Sequence, residues 1–116
     1  MDERIEKAFE TANFMATLSN QRRIIAEEFE QKLVYYKNGA TFKINPGLIN
    51  FIKTMLDIGQ TDDVAFVDAN NFPVVIKDVQ DFFDDVTSIY FEAVNDYASK
   101  FAEIKSKRSV KDIIGL

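Results

Sequence analysis

Histidine, cysteine and tryptophan are all missing from this 116-residue chain. Without histidine or cysteine, the chain lacks the usual general base near neutral pH, the usual nucleophilic thiol and the usual transition-metal ligands. Having no cysteine also rules out a disulfide framework, and the expected setting is cytoplasmic. Only four glycines and two prolines are present. That leaves little material for a phosphate-cradling glycine loop, and neither that motif nor a nucleophile elbow occurs. No apolar run approaches the roughly 18–20 residues that span a bilayer, so no membrane segment is expected. The opening Met1-Asp2-Glu3-Arg4-Ile5-Glu6 is acidic and amphipathic, unlike a signal peptide. The chain is therefore expected to be no enzyme and to need no cofactor.

What is present suits a modest globular core. Hydrophobic residues make up 47% of the chain, too many for a disordered segment. The length predicts one domain, 1–116, ending in a short apolar tail over 109–116. Net charge is −5, unevenly spread: residues 57–96 carry −9, with Lys77 their single base, and residues 97–116 carry +3. An acidic surface disfavours nonspecific contact with phosphate backbones. Lysine outnumbers arginine ten to four, a bias that an AT-rich genome would produce without chemical cause.

Periodicity predicts helix from about Asp2 to Leu33. Ile5, Ala8, Phe9, Ala12, Met15 and Ala16 share one stripe, which Ile25, Ala26, Phe29 and Leu33 continue. Ser19-Asn20-Gln21-Arg22-Arg23 interrupts it. With no glycine or proline there, one long helix with a polar layer in its seam is favoured over two helices with Ser19 as a cap. Asn38-Gly39, flanked by β-branched and aromatic residues, predicts a hairpin between Leu33 and Ile44. Asn45-Pro46 opens a second helix with its apolar face at Leu48, Ile49, Ile52, Met55 and Leu56, and Gly59 stops it. Val64–Val67 and Phe72–Ile76 read as strands around the turn-rich Asp68-Ala69-Asn70-Asn71. Pro73 places the second of them at a sheet edge or at its own start. Asp78 caps a last helix reaching to about Lys107. The predicted fold is α+β, mostly helical: two long helices packed together, a shorter middle helix and two small β-hairpins.

Four constellations bear on function. Asp78, Asp81, Asp84 and Asp85 could hold a divalent cation, but acids at a helix start and Lys100, Lys105, Lys107 and Arg108 at its end suit the helix dipole better. The Asp68 loop begins like a calcium loop and departs from it at Phe72. Arg22 and Arg23 are candidates for gripping a carboxylate or phosphate, against the simpler reading of a solvated face. A DNA-binding accessory role through Arg22, Arg23 and the basic C-terminal end is the alternative function. Nucleic acid is not the expected partner, because exposed aromatics do not interleave the bases and no recognition helix is evident. The fourth is the broad face of the last helix, Phe82, Phe83, Tyr90, Tyr97 and Phe101. With Ile113 and Leu116 of the tail it forms the candidate interface of a homodimer or of a subunit in a larger assembly. The tail either docks on a partner or folds back on the chain.

Met1-Asp2-Glu3-Arg4-Ile5-Glu6-Lys7-Ala8, Ser19-Asn20-Gln21-Arg22-Arg23, Tyr36-Lys37-Asn38-Gly39, Asp68-Ala69-Asn70-Asn71-Phe72-Pro73-Val74 and Tyr90-Phe91-Glu92-Ala93 give the chain a further character. In these stretches it resembles small proteins of unassigned function from T-even-like marine phages, especially those infecting cyanobacteria. The resemblance implies an assembly or adaptor role in the host cytoplasm or the virion. It supplies no active residues.

Overall fold

The structure is a computed structural model that describes the backbone of residues 2–113 and the side chains of residues 2–106. Its elements run α1 (Glu3–Lys32), β1 (Val34–Lys37), β2 (Ala40–Lys43), α2 (Pro46–Asp57), β3 (Asp62–Val67), β4 (Pro73–Asp78) and α3 (Val79–Ile113). This is the α+β, mostly helical fold that the pattern predicts. Helix α3 continues beyond Lys107 to Ile113, so residues 109–113 of the expected tail belong to it. The chain divides into two compact units, residues 1–29 with 95–116 and residues 30–94.

The second unit is built from local signals that agree with one another. Asn38 and Gly39 both adopt positive φ, as a two-residue hairpin turn requires, and β1 pairs antiparallel with β2 from Val34↔Lys43 to Lys37↔Ala40. The Asn45 side chain accepts the Leu48 N–H at 2.8 Å, which caps α2 in front of Pro46. At the other end Gly59 sits at φ +86°. Its N–H reaches the Leu56 carbonyl, and the Gln60 N–H reaches that of Met55. That double bond pattern terminates a helix and needs the left-handed residue glycine supplies. β3 and β4 pair antiparallel from Asp62↔Asp78 to Val67↔Pro73, each strand two residues longer at the base than the sequence suggests. Pro73 opens its strand, where its missing N–H costs least. The Asp78 side chain accepts the Asp81 N–H and caps α3.

Both hairpins, α2 and the first half of α3 enclose one core. Phe42, Ile44, Ile52, Ile76, Val79, Phe82 and Val86 are its most enclosed side chains. Phe82 is central: its ring lies 5.0 Å from that of Phe42, 5.4 Å from Phe66 and 6.2 Å from Tyr35, centroid to centroid. Tilted and edge-on ring pairs of this kind add to the stabilisation from burial.

The first unit is an α1–α3 helix pair with its own small core of Leu18, Ile25 and Ile104, flanked by Phe14 and Tyr97. The α1 residues facing α3 follow Phe14, Leu18, Gln21, Ile25 and Glu28, at alternating steps of four and three. That is the spacing of a narrow helix–helix seam. The stripe expected to be buried, Ile5, Ala8, Phe9, Ala12, Met15 and Ala16, is exposed throughout. The cause is the polar members of the true seam, which break its apolar continuity in the sequence. Gln21 supplies the polar layer anticipated near Ser19.

Candidate functional site

The acidic start of α3 is answered from within its own unit. Lys37, brought over it by the first hairpin, places its Nζ 3.9 Å from carboxylate oxygens of both Asp81 and Asp85. The Tyr35 hydroxyl donates to Asp85 Oδ2 at 2.9 Å. Burial, and then the hydrogen bond to and charge of Asp85, push the Tyr35 pKa up to about 12. Lys37 and Tyr35 thus tie β1 to the start of α3, with one cation set against two carboxylates. Among the described residues no three metal-binding side chains gather to hold an ion.

Asp68 departs most from its sequence reading. It is buried, 7% exposed, and its carboxylate accepts three backbone N–H groups. Oδ1 takes those of Asn70 and Phe72 at 2.9 Å, and Oδ2 takes that of Thr41 at 3.1 Å. The Ala69 N–H returns a bond to the Thr41 carbonyl. Turn chemistry was legible here; the join between the two hairpins through Thr41 was not, since 27 residues separate the partners. The backbone donors of Phe72 and Thr41 hold the carboxyl pKa below its ordinary value, against desolvation, with help from Asn70.

Arg22 and Arg23 are not set to grip one anion together. Arg23 pairs with Glu27 one turn along α1 at 3.0 Å, and the Arg22 guanidinium lies 6.0 Å from the centre of the Phe101 ring. The basic candidates Lys107 and Arg108 have side chains outside the described residues, as does Ile113, and Leu116 lies outside them altogether.

The aromatic face of α3 proves largely internal. Phe82 is fully enclosed in its own unit, and so is no surface residue. Phe83 and Tyr90 are half-buried, Tyr97 packs on Phe29 at 4.8 Å, and Phe101 is 44% exposed. The ring geometry of these residues follows from packing across the chain, which spacing along one helix does not reveal.

Polar groups punctuate the seam of the first unit. Lys100 reaches Glu28 at 2.7 Å and Asp96 at 3.1 Å, and the bonds to these two carboxylates, Glu28 first, raise its pKa. Beside them Gln21 Oε1 is buried without a hydrogen-bond partner. It lies at a shallow groove of about 260 Å³ lined also by Ile24, Ile25 and Ile104.

Apolar surface is left open in both units. In α1 every side chain from residue 3 to residue 13 is exposed, including Ile5 and Phe9, the latter by 60%. In the second unit the β3–β4 ribbon exposes Val67 and Val75. No described helix is long and apolar enough to cross a membrane. No known protein family, curated protein or solved structure matches the chain. Geometry alone therefore carries the functional reading.

Proposed function

We propose that this chain is a non-enzymatic protein–protein interaction or assembly component that self-associates. The observation carrying this reading is the first half of α1. Twelve consecutive residues, 2–13, are almost entirely helical and bury no side chain. A stretch of that length gains little from helix formation alone. Its apolar stripe nevertheless runs from Ile5 to Ala16 without a charge. Its large side chains Ile5, Phe9 and Met15 are 44–60% exposed, and each forgoes about half of the roughly 1.5–3 kcal/mol that full burial brings. A partner helix laid along the stripe would recover that energy, as amphipathic helices do in helix-in-groove recognition.

Light scattering across a concentration series tests it, on the intact chain and on a Phe9→Glu, Met15→Glu variant. The intact chain is expected to exceed the monomer mass of 13.3 kDa as concentration rises, and the variant to associate less. An intact chain that stays monomeric up to roughly 100 μM, where even weak specific complexes form, would refute self-association.

A further inference from the structure

One tight turn in the second unit holds a reactive pair of residues. Asn38 and Gly39 form the loop between β1 and β2, both at positive φ, +52° and +78°. Both are exposed. A Cβ added at Gly39 would meet nothing within 4 Å, so the loop stands clear of its surroundings. The Asn38 side chain is hydrogen-bonded to no described residue. Of the chain's asparagines, Asn38 is the one followed by glycine. With no Cβ on that glycine, its backbone nitrogen is an unshielded nucleophile next to a side-chain amide. Attack of the Gly39 nitrogen on the Asn38 side-chain carbon would close a succinimide ring. Asn45, by contrast, precedes Pro46, whose nitrogen has no proton to lose.

The conformation of the turn decides when that attack is possible. A two-residue hairpin loop with φ positive at both positions is a type I′ turn, and it holds Asn38 in the left-handed region. There an L residue crowds its Cβ against the carbonyl oxygen that follows it. The carbonyl group is planar, so the Gly39 nitrogen, bonded to the same carbon, projects to the opposite side. In the closed turn the nucleophile therefore points away from the carbon it must reach. Ring closure needs rotation about the Asn38 Cα–C bond. That rotation takes Asn38 out of the turn and separates the closing pair Lys37↔Ala40.

We propose that Asn38 is a deamidation site gated by its own hairpin, blocked while the turn is closed, reactive when it opens, and held open by its isoaspartyl product. In the open turn, hydroxide removes the Gly39 amide proton and the nitrogen bonds to Asn38 Cγ. The Cγ–Nδ2 bond breaks, and ammonia leaves after taking its third proton from water. Water then opens the ring at either carbonyl to give aspartate or isoaspartate, with no change of oxidation state. Isoaspartate routes the backbone through its side chain, which adds a methylene to a loop whose register has no room for one. Tyr35 and Lys37 lie on the strand leading into this loop, and the closed register is what sets them against Asp81 and Asp85. The modification thus loosens β1 from the start of α3, independently of self-association.

Peptide mapping by mass spectrometry tests the gate, on the full chain held at mildly alkaline pH with and without guanidinium chloride. Conversion of amide to acid at Asn38 should be about tenfold faster or more in denaturant, the factor that corresponds to about 1.4 kcal/mol of turn opening. Equal rates in the two conditions would overturn the gate, and no conversion at Asn38 in denaturant would overturn the site itself. The isoaspartyl product, separated by chromatography and refolded, is then compared with Asn38→Asp by urea unfolding. Asp-Gly also suits a type I′ turn, so Asn38→Asp should keep a midpoint close to that of the parent, and the isoaspartyl chain should unfold at lower urea. Matching midpoints for these two acidic forms would overturn the claim that the product holds the turn open.

Discussion

Removing the Phe82 ring separates the two roles open to the aromatic face of α3, core and interface. Phe82 is 0% exposed, with the rings of Phe42, Phe66 and Tyr35 around it. Truncation of such a side chain to alanine costs about 3–5 kcal/mol, from lost transfer energy and the cavity left behind. The ring pairs with Phe42 and Phe66 bring geometry worth about 0.5–1.5 kcal/mol each beyond area, so the upper part of that range applies to Phe82→Ala. Phe82→Leu keeps much of the volume and should cost about 1–2 kcal/mol. For a chain of this size, total stability is on the order of 6–17 kcal/mol. A loss of about 4 kcal/mol lowers the melting temperature of a unit this small by roughly 15–30 °C. Urea unfolding, followed by far-ultraviolet circular dichroism, gives the value directly, with the midpoint falling while the slope is unchanged. A cost below about 1.5 kcal/mol for the alanine variant would refute the packing argument, since that is what burial alone yields for a partly exposed ring. A variant with the wild-type midpoint but less association would reinstate Phe82 as an interface residue.

Asp68→Ala and Asp68→Asn should both lower the urea midpoint, alanine more. Asparagine keeps one acceptor for Asn70 and Phe72 but turns an amide donor toward the Thr41 N–H. Because the folded Asp68 pKa lies below its ordinary value, the stability it provides is complete above the unfolded carboxylate range, about pH 4, and is lost as pH falls through the folded value. Acid titration of the alanine variant should therefore show a shallower fall in stability than the parent over that window. Ultraviolet titration should find one tyrosine ionising late, at about pH 12, and Tyr35→Phe should remove that step. With the folded pKa above the unfolded value near 10, this stabilisation is full below pH 10 and lost as pH rises toward 12. Gln21→Leu, which deletes a buried carbonyl oxygen with no partner, should raise the thermal midpoint, by about 1 kcal/mol in stability terms; a lower midpoint would show that the amide is satisfied by water in the groove.

Features decided within a few residues were legible from the sequence, and features decided across the chain were not. Asn38-Gly39, Asn45-Pro46, Gly59 and Asp78 each act on backbone groups at most four residues away, so residue chemistry suffices to place the turn, the caps and the stop. The buried face of α1 depends instead on α3, where Lys100 meets Glu28 from 72 residues away. A seam holding Gln21 and Glu28 reads as solvent-facing until that partner is known, and the apolar stripe beside it then looks like the core. Phe82 was misplaced for the same reason: its enclosure is made by rings from two hairpins. The same logic turns the misreading into a pointer. Local patterning assigns Ile5, Phe9 and Met15 to the apolar stripe of α1, and the folded chain leaves all three exposed. Where the residue pattern is consistent throughout a fold except at particular surfaces, those surfaces are where function is expected. Here the exceptions include the α1 stripe, which is the surface that the proposed self-association would cover.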